Sequence, residues 1–145
     1  MQVNRRRNRP VRVLLVEDHE LYAQTLRMLL ASNERIEVVG RAVDGAEGVR
    51  AALALRPDVV LMDISMPVLD GIEATRRLRE RLRGVRIVML TSSPDADVMR
   101  EALAAGADAY LMKDDPLPEL EAAILAAAPR STRLEALGWL PALAS

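Results

Sequence analysis

The stretch from Asp58 to Gly71, reading DVVLMDISMPVLDG, constrains the fold more than any other part of the chain. Val59, Val60, Leu61 and Met62 form an apolar run that is too short for a buried helix and rich in β-branched residues. It stops at the carboxylate of Asp63 and passes into a loop punctuated by Pro67 and by Asp70 with Gly71. The run reads as a buried parallel strand that delivers Asp63 to the carboxyl edge of a sheet. Ligands of open α/β sheets bind along that edge, so an acid placed there has a chemical meaning as well as a structural one.

The rest of the chain repeats the same alternation. Strands are predicted at 11–16, 36–39 (broken at Gly40), 85–90 and 108–112. A helix follows the first strand to about Ser32, with Leu21, Leu26, Leu29 and Leu30 at helical spacing and Asp18 as its N-cap. An alanine-rich helix over 44–55 is stopped by Pro57, and a charged amphipathic helix over 72–82 is closed by Gly84. Ser93 with Pro94 reads as an N-cap and first-turn pair opening a helix that ends at Gly106, and Asp115 with Pro116 opens a last helix to about Ala128. Five βα units with connections this short require a parallel sheet covered by helices on both faces, an α/β doubly wound domain.

Composition narrows the chemistry. The chain of 145 residues has no cysteine and one histidine, which excludes a disulfide framework, a thiolate zinc site and a cysteine nucleophile. The net charge of −1 and aromatic content of 2% argue against nucleic-acid binding through this chain. There is no signal-peptide core and no apolar window of about 18 residues, so a cytoplasmic protein without membrane contact is expected. Residues 1–10 read as a basic tail carrying Arg5, Arg6, Arg7 and Arg9, residues 11–128 as one domain, and residues 129–145 as a C-terminal tail too short to be an effector domain.

A parallel sheet brings Glu17 and Asp18, Asp63, Thr91 with Ser92, and Lys113 to one edge. Clustered carboxylates repel one another and suit a hard divalent cation such as Mg²⁺, while an ammonium and a hydroxyl suit phosphoryl oxygens. Lys113 carries particular weight: the other 19 of the 20 Lys and Arg residues are arginine. A compact point charge is wanted there, where arginine serves elsewhere.

With these residues in order, the sequence resembles a receiver domain of a bacterial two-component response regulator. The resemblance rests on Glu17-Asp18, Asp63 with Met66-Pro67 and Asp70-Gly71, Thr91, Tyr110 and Lys113. It implies a flavodoxin-like sheet of order 2-1-3-4-5. It further implies that Asp63 accepts a phosphoryl group from the phosphohistidine of a histidine kinase or phosphotransfer protein. Mg²⁺ would be held by Asp18, Asp63 and the backbone carbonyl of Ser65, with Glu17 acting through water. Thr91 and Lys113 would take the phosphoryl oxygens, and Thr91 and Tyr110 would act as the switch. Such a chain is a signalling phosphoacceptor rather than an enzyme acting on other molecules, assisting its own Mg²⁺-dependent phosphotransfer and dephosphorylation. A homodimer on phosphorylation is a further implied possibility.

The chain departs from the family where many receivers carry Pro after the lysine. Asp114 stands there, and because a cis bond at a non-proline residue costs about 3 kcal/mol, a trans bond is expected. Glu17-Asp18-His19 and 113–116 are most similar to the subfamily whose receivers precede a helix-turn-helix domain, and a receiver fragment of a DNA-binding regulator and a degenerate scaffold remain alternatives. His19 reads as a partly exposed residue at a helix start, with nothing nearby to activate it as a nucleophile. In the tail, Leu134, Leu137, Trp139, Leu140 and Leu143 are too apolar for an inert linker, and the expectation is that they fold back on the domain.

Overall fold

The computed structural model describes residues 9–66, 68–93 and 95–126. Five parallel strands lie in the order β2-β1-β3-β4-β5, with β1 at Val11–Val16, β2 at Ile36–Ala42, β3 at Val59–Asp63, β4 at Arg86–Thr91 and β5 at Ala109–Met112. The helices between and after them are α1 (Glu20–Ala31), α2 (Gly45–Leu55), α3 (Gly71–Arg81), α4 (Ala96–Ala105) and α5 (Leu117–Leu125). This is the expected flavodoxin-like doubly wound sheet.

Alternation along the buried strands divides the core in two. Val11, Val13 and Leu15 of β1, with Val59, Leu61, Val88 and Leu90, pack against Ala23, Leu26 and Leu30 of α1 and Leu120 and Ile124 of α5. Leu14, Val16, Val60, Met62, Ile87 and Met89 face the other way, onto Ala52 of α2, Leu78 of α3 and Ala102 of α4. A slip of one residue would exchange the two sets, so the register of the central strands is strongly determined. Gly48 lets α2 press onto β1: a β-carbon there would lie 2.8 Å from Val16 Cγ1.

Local chemistry corrects several expected boundaries. Gly40 does not break β2, which runs on to Ala42; the pairing steps from Val13–Val38 to Leu14–Gly40, a bulge that absorbs Val39. His19, not Asp18, caps α1, its Nδ1 accepting from the Tyr22 amide at 3.3 Å, so the Asp18 carboxylate stays in the strand-end loop. The expected core face of α1 also changes, since Leu26 and Leu30 are buried but Leu21 and Leu29 are exposed. Asp95 replaces Ser93 as the cap of α4, accepting from the Asp97 and Val98 amides, and the expectation for Pro94 lies outside the described residues. Asp115 does not cap α5 either. Its carboxylate turns back to accept from the Met112 amide at 2.9 Å, which ties down the turn that carries Lys113. Peptide bonds among the described residues are trans, Lys113–Asp114 included. The expected end of the last helix at Ala128 and the tail 129–145 lie outside the described residues, as do residues 1–8 of the basic tail.

Candidate functional site

At the carboxyl edge, β1 and β3 are neighbours and β3 and β4 are neighbours, so the ends of all three converge. The Glu17 amide extends the ladder to Ala42 O at 3.0 Å, and the Lys113 amide does the same to Thr91 O at 2.7 Å. These backbone bonds place Glu17, Asp63, Thr91 and Lys113 around one depression. Glu17, Asp18 and Asp63 each offer a carboxylate oxygen within 4.8 Å of the others. Asp18 is exposed, Glu17 is fully buried, and Asp63 is buried.

Lys113 enters this cluster from β5. Its ammonium lies 2.8 Å from Glu17 Oε1 and 3.5 Å from Asp63 Oδ2. Glu17 Oε2 accepts from the His19 amide at 3.0 Å, and Asp63 Oδ1 accepts weakly from the Ser65 amide at 3.3 Å. One cation against two or three carboxylates leaves the site under-neutralised. Asp63 is accordingly pushed up from 3.8 to about 7, first by burial and then by the Glu17 charge, with Lys113 opposing. An oxygen-rich, under-neutralised cluster of this kind fits a hard divalent cation.

Thr91 and Tyr110 are positioned differently. The buried Thr91 hydroxyl is engaged locally, donating to Ser93 O at 3.1 Å and accepting from the Ser93 amide at 3.2 Å. Tyr110 packs against the core on the α2–α4 side, and its buried hydroxyl has no hydrogen-bond partner among the described residues. Ser65 lies exposed at the mouth, where with Asp18, Met66, Asp70, Val98 and Glu101 it borders an open cleft of about 510 Å³. Asp70 caps α3 through the Glu73 amide at 2.9 Å. Gly71 brings that helix start onto the backbone of Asp63 and Ile64, and its amide donates to Ile64 O at 2.9 Å.

Two residues of the site carry no motif in the sequence. Arg41, on the part of β2 beyond Gly40, donates from Nε and Nη2 to Glu17 O at 3.1 and 3.0 Å and so clamps the acidic loop. Its signal was the apolar pattern resuming at Ala42, which a strand ended at Gly40 hides. Tyr22 lies with its ring 4.7 Å from the Lys113 ammonium, and its hydroxyl is pushed up to about 12 by burial, with Glu17 and Asp63 adding to it. The signal for Tyr22 was its place one turn beyond the acidic pair.

Residues 13–125 match the profile of the response regulator receiver domain. The chain is 44% identical over 125 residues to the transcriptional regulatory protein LiaR of Bacillus subtilis, covering 86% of this chain and 59% of LiaR. It is 39% identical over 110 residues to the uncharacterized transcriptional regulatory protein YhcZ of the same organism, covering 76% of this chain and 51% of YhcZ. It thus spans between half and three-fifths of the length of these relatives. Among solved structures, the signal receiver domain of NarL from Mycobacterium tuberculosis superposes with a TM-score of 0.80 at 30% identity, covering 84% of this chain and 98% of that one.

Proposed function

The chain belongs to the family of response regulator receiver domains, and from that premise we propose that Asp63 is its phosphoacceptor. The observation that carries this reading is the placement of Asp63 at the end of the central strand, with two further carboxylates within 4.8 Å and Lys113 Nζ at 3.5 Å. The donor is the phosphohistidine of a histidine kinase or of a phosphotransfer protein. An oxygen of the Asp63 carboxylate attacks phosphorus as the P–N bond of the donor breaks. The product is an acyl phosphate, and the bonding pair goes to the ring nitrogen of the donor, which leaves as neutral imidazole because its other nitrogen carries the proton.

A transfer of this type needs alignment and charge neutralisation more than it needs a base. Mg²⁺, held by Asp18, Asp63 and the Ser65 carbonyl with Glu17 reached through water, would supply neutralisation of the phosphoryl oxygens. Lys113 supplies the remaining positive charge by moving from Glu17 toward the incoming oxygens. The Thr91 hydroxyl, rotated away from Ser93, donates to another. That movement vacates space beside β5 into which the Tyr110 ring, whose hydroxyl has no hydrogen-bond partner among the described residues, can shift. The switch then shifts a population on the face of α4, β5 and α5, where a partner or a second copy is engaged. The same arrangement assists loss of the phosphoryl group to water, which resets the domain.

Incubation with acetyl phosphate and Mg²⁺ tests the assignment. One phosphoryl group is expected on the wild type and none on Asp63→Asn; equal labelling of both overturns it. A second reading, that these residues serve as the input part of a transcription regulator, is favoured by the relatives named above. Phosphorylation-dependent DNA binding by the protein isolated from its own cell would support it, and phosphorylation-independent behaviour would count against it.

A further inference from the structure

Strand β2 brings a second cation to the site through its irregularity. Val38 packs on the α1–α5 side of the sheet and Ala42 on the α2–α4 side, although positions that far apart share a face in a regular strand. The bulge that absorbs Val39 makes the difference, and it leaves Arg41 in register with Leu15, which faces α1 and α5. Had the alternation continued unbroken from Val38, Arg41 would stand on the opposite face.

The re-aimed guanidinium acts on backbone. Nε and Nη2 donate to Glu17 O at 3.1 and 3.0 Å, and Nη2 lies 3.5 Å from Asp18 O. The Glu17 amide is held by Ala42 O at 3.0 Å, so neighbouring residues of β2 fix both ends of Glu17. The two carboxylates of the acidic pair are held unequally. That of Glu17 meets Lys113 and the His19 amide, whereas that of Asp18 is exposed and has no partner among the described residues. Asp18 therefore takes its direction from the peptide that precedes it, whose carbonyl is the one Arg41 binds.

We propose that Arg41 is a positioning residue for Mg²⁺, fixing the Glu17–Asp18 peptide so that the Asp18 carboxylate is already ordered when the cation arrives. The inference rests on the Mg²⁺-dependent phosphoacceptor reading above. Two effects of the side chain compete. Ordering a ligand in advance strengthens binding, because the cost of immobilising it is removed from the association step. A positive charge beside the site weakens it. Ordering is the larger effect here: the guanidinium charge is delocalised, faces two carbonyl oxygens and is partly screened by solvent, while nothing else holds the Asp18 carbonyl side of the loop among the described residues.

Calorimetry with Mg²⁺ alone, on the 145-residue protein, tests this. Arg41→Lys keeps the charge but, as a point donor, cannot reproduce the two-pronged contact with one oxygen; Arg41→Met removes both. Each is expected to weaken Mg²⁺ binding about tenfold, the lower end of what removing a group behind a metal ligand costs. Labelling by acetyl phosphate should be slow in both variants at limiting Mg²⁺ and reach the wild-type rate at saturating Mg²⁺. The metal-free Tm serves as the folding control. Unchanged affinity in Arg41→Lys, or the unchanged or tighter binding in Arg41→Met that charge alone would give, overturns the proposal. So does a rate deficit that saturating Mg²⁺ does not repair. Failure of the wild type to bind Mg²⁺ would instead remove the phosphoacceptor reading, and the proposal with it.

Discussion

The ammonium of Lys113 is closer to Glu17 than to Asp63, at 2.8 Å from Glu17 Oε1. Glu17 is fully buried, and outside this ion pair its Oε1 has no hydrogen bond among the described residues. In the resting site the lysine therefore compensates the acidic pair, and the phosphoacceptor is left with the weaker share of its charge.

Titration of Asp63 is the most direct. In metal-free buffer its carboxyl carbon should titrate near pH 7. Glu17→Gln removes the repelling charge and releases Lys113 toward Asp63, and both changes lower the value. Carbon-13 NMR of the carboxyl groups over a pH series checks this; an unchanged midpoint in Glu17→Gln would show that burial alone sets it.

Stability has a defined sign. The folded Asp63 holds its proton more tightly than the unfolded one, so it contributes stability in full below about pH 3.8, and that contribution is lost as the pH rises through about 7. Asp63→Asn cannot ionise. Without metal, the variant should gain in Tm relative to the wild type between about pH 4 and about pH 8. Saturating Mg²⁺ should shrink the gain, because the cation offsets the buried charge.

Metal affinity should depend on the exposed member of the pair. Asp18→Asn is expected to weaken Mg²⁺ binding roughly tenfold or more, since even residues behind metal ligands cost that much when removed. Calorimetry, or amide shifts of residues 18 and 63 on Mg²⁺ addition, would show it. Unaltered affinity would remove Asp18 from the ligand set.

The Tyr22 ring lies 4.7 Å from the Lys113 ammonium and so helps to position it. Tyr22→Phe keeps the ring face and should phosphorylate within about twofold of the wild type. Tyr22→Leu keeps an apolar side chain but not the ring, and should lose about three- to tenfold in rate. Equal rates in the two variants would reduce Tyr22 to packing.

Arg79 joins α3 to the turn before β5. It donates from Nε to Gly106 O at 2.7 Å and from Nη1 to Val85 O and Arg83 O, and it pairs with Asp108. Gly106 holds φ at +117°, with the Arg79 side chain packed where a β-carbon would stand. Loss of these bonds in Arg79→Ala leaves carbonyls unpaired and should cost about 2–3 kcal/mol in denaturant unfolding, with the phosphorylation site intact.

What was legible in the sequence was whatever short-range patterning encodes. The fully apolar strand ending at Asp63, the breaks at Pro57 and Gly106, and the Asp70-Gly71 cap act over a few residues. They determine the type and order of the elements, and parallel winding then sends every strand end to one edge. The errors lay where two local solutions were close in energy: Asp18 or His19 as cap, Ser93 or Asp95, Asp115 facing forward to α5 or back to Met112. In two of these a contact beyond the helix start accompanies the outcome: the Asp18 carboxylate lies in the acidic cluster, and that of Asp115 braces the Lys113 turn. The tertiary structure alone determined which carboxylate takes Lys113, that Arg41 clamps the acidic loop and that Tyr22 lies against the ammonium. Those outcomes depend on distances of a few ångströms between β2 and the loop after β1, and between β5 and both that loop and α1, contacts that no local pattern in the sequence encodes, and on a burial that makes charge compensation costly to omit.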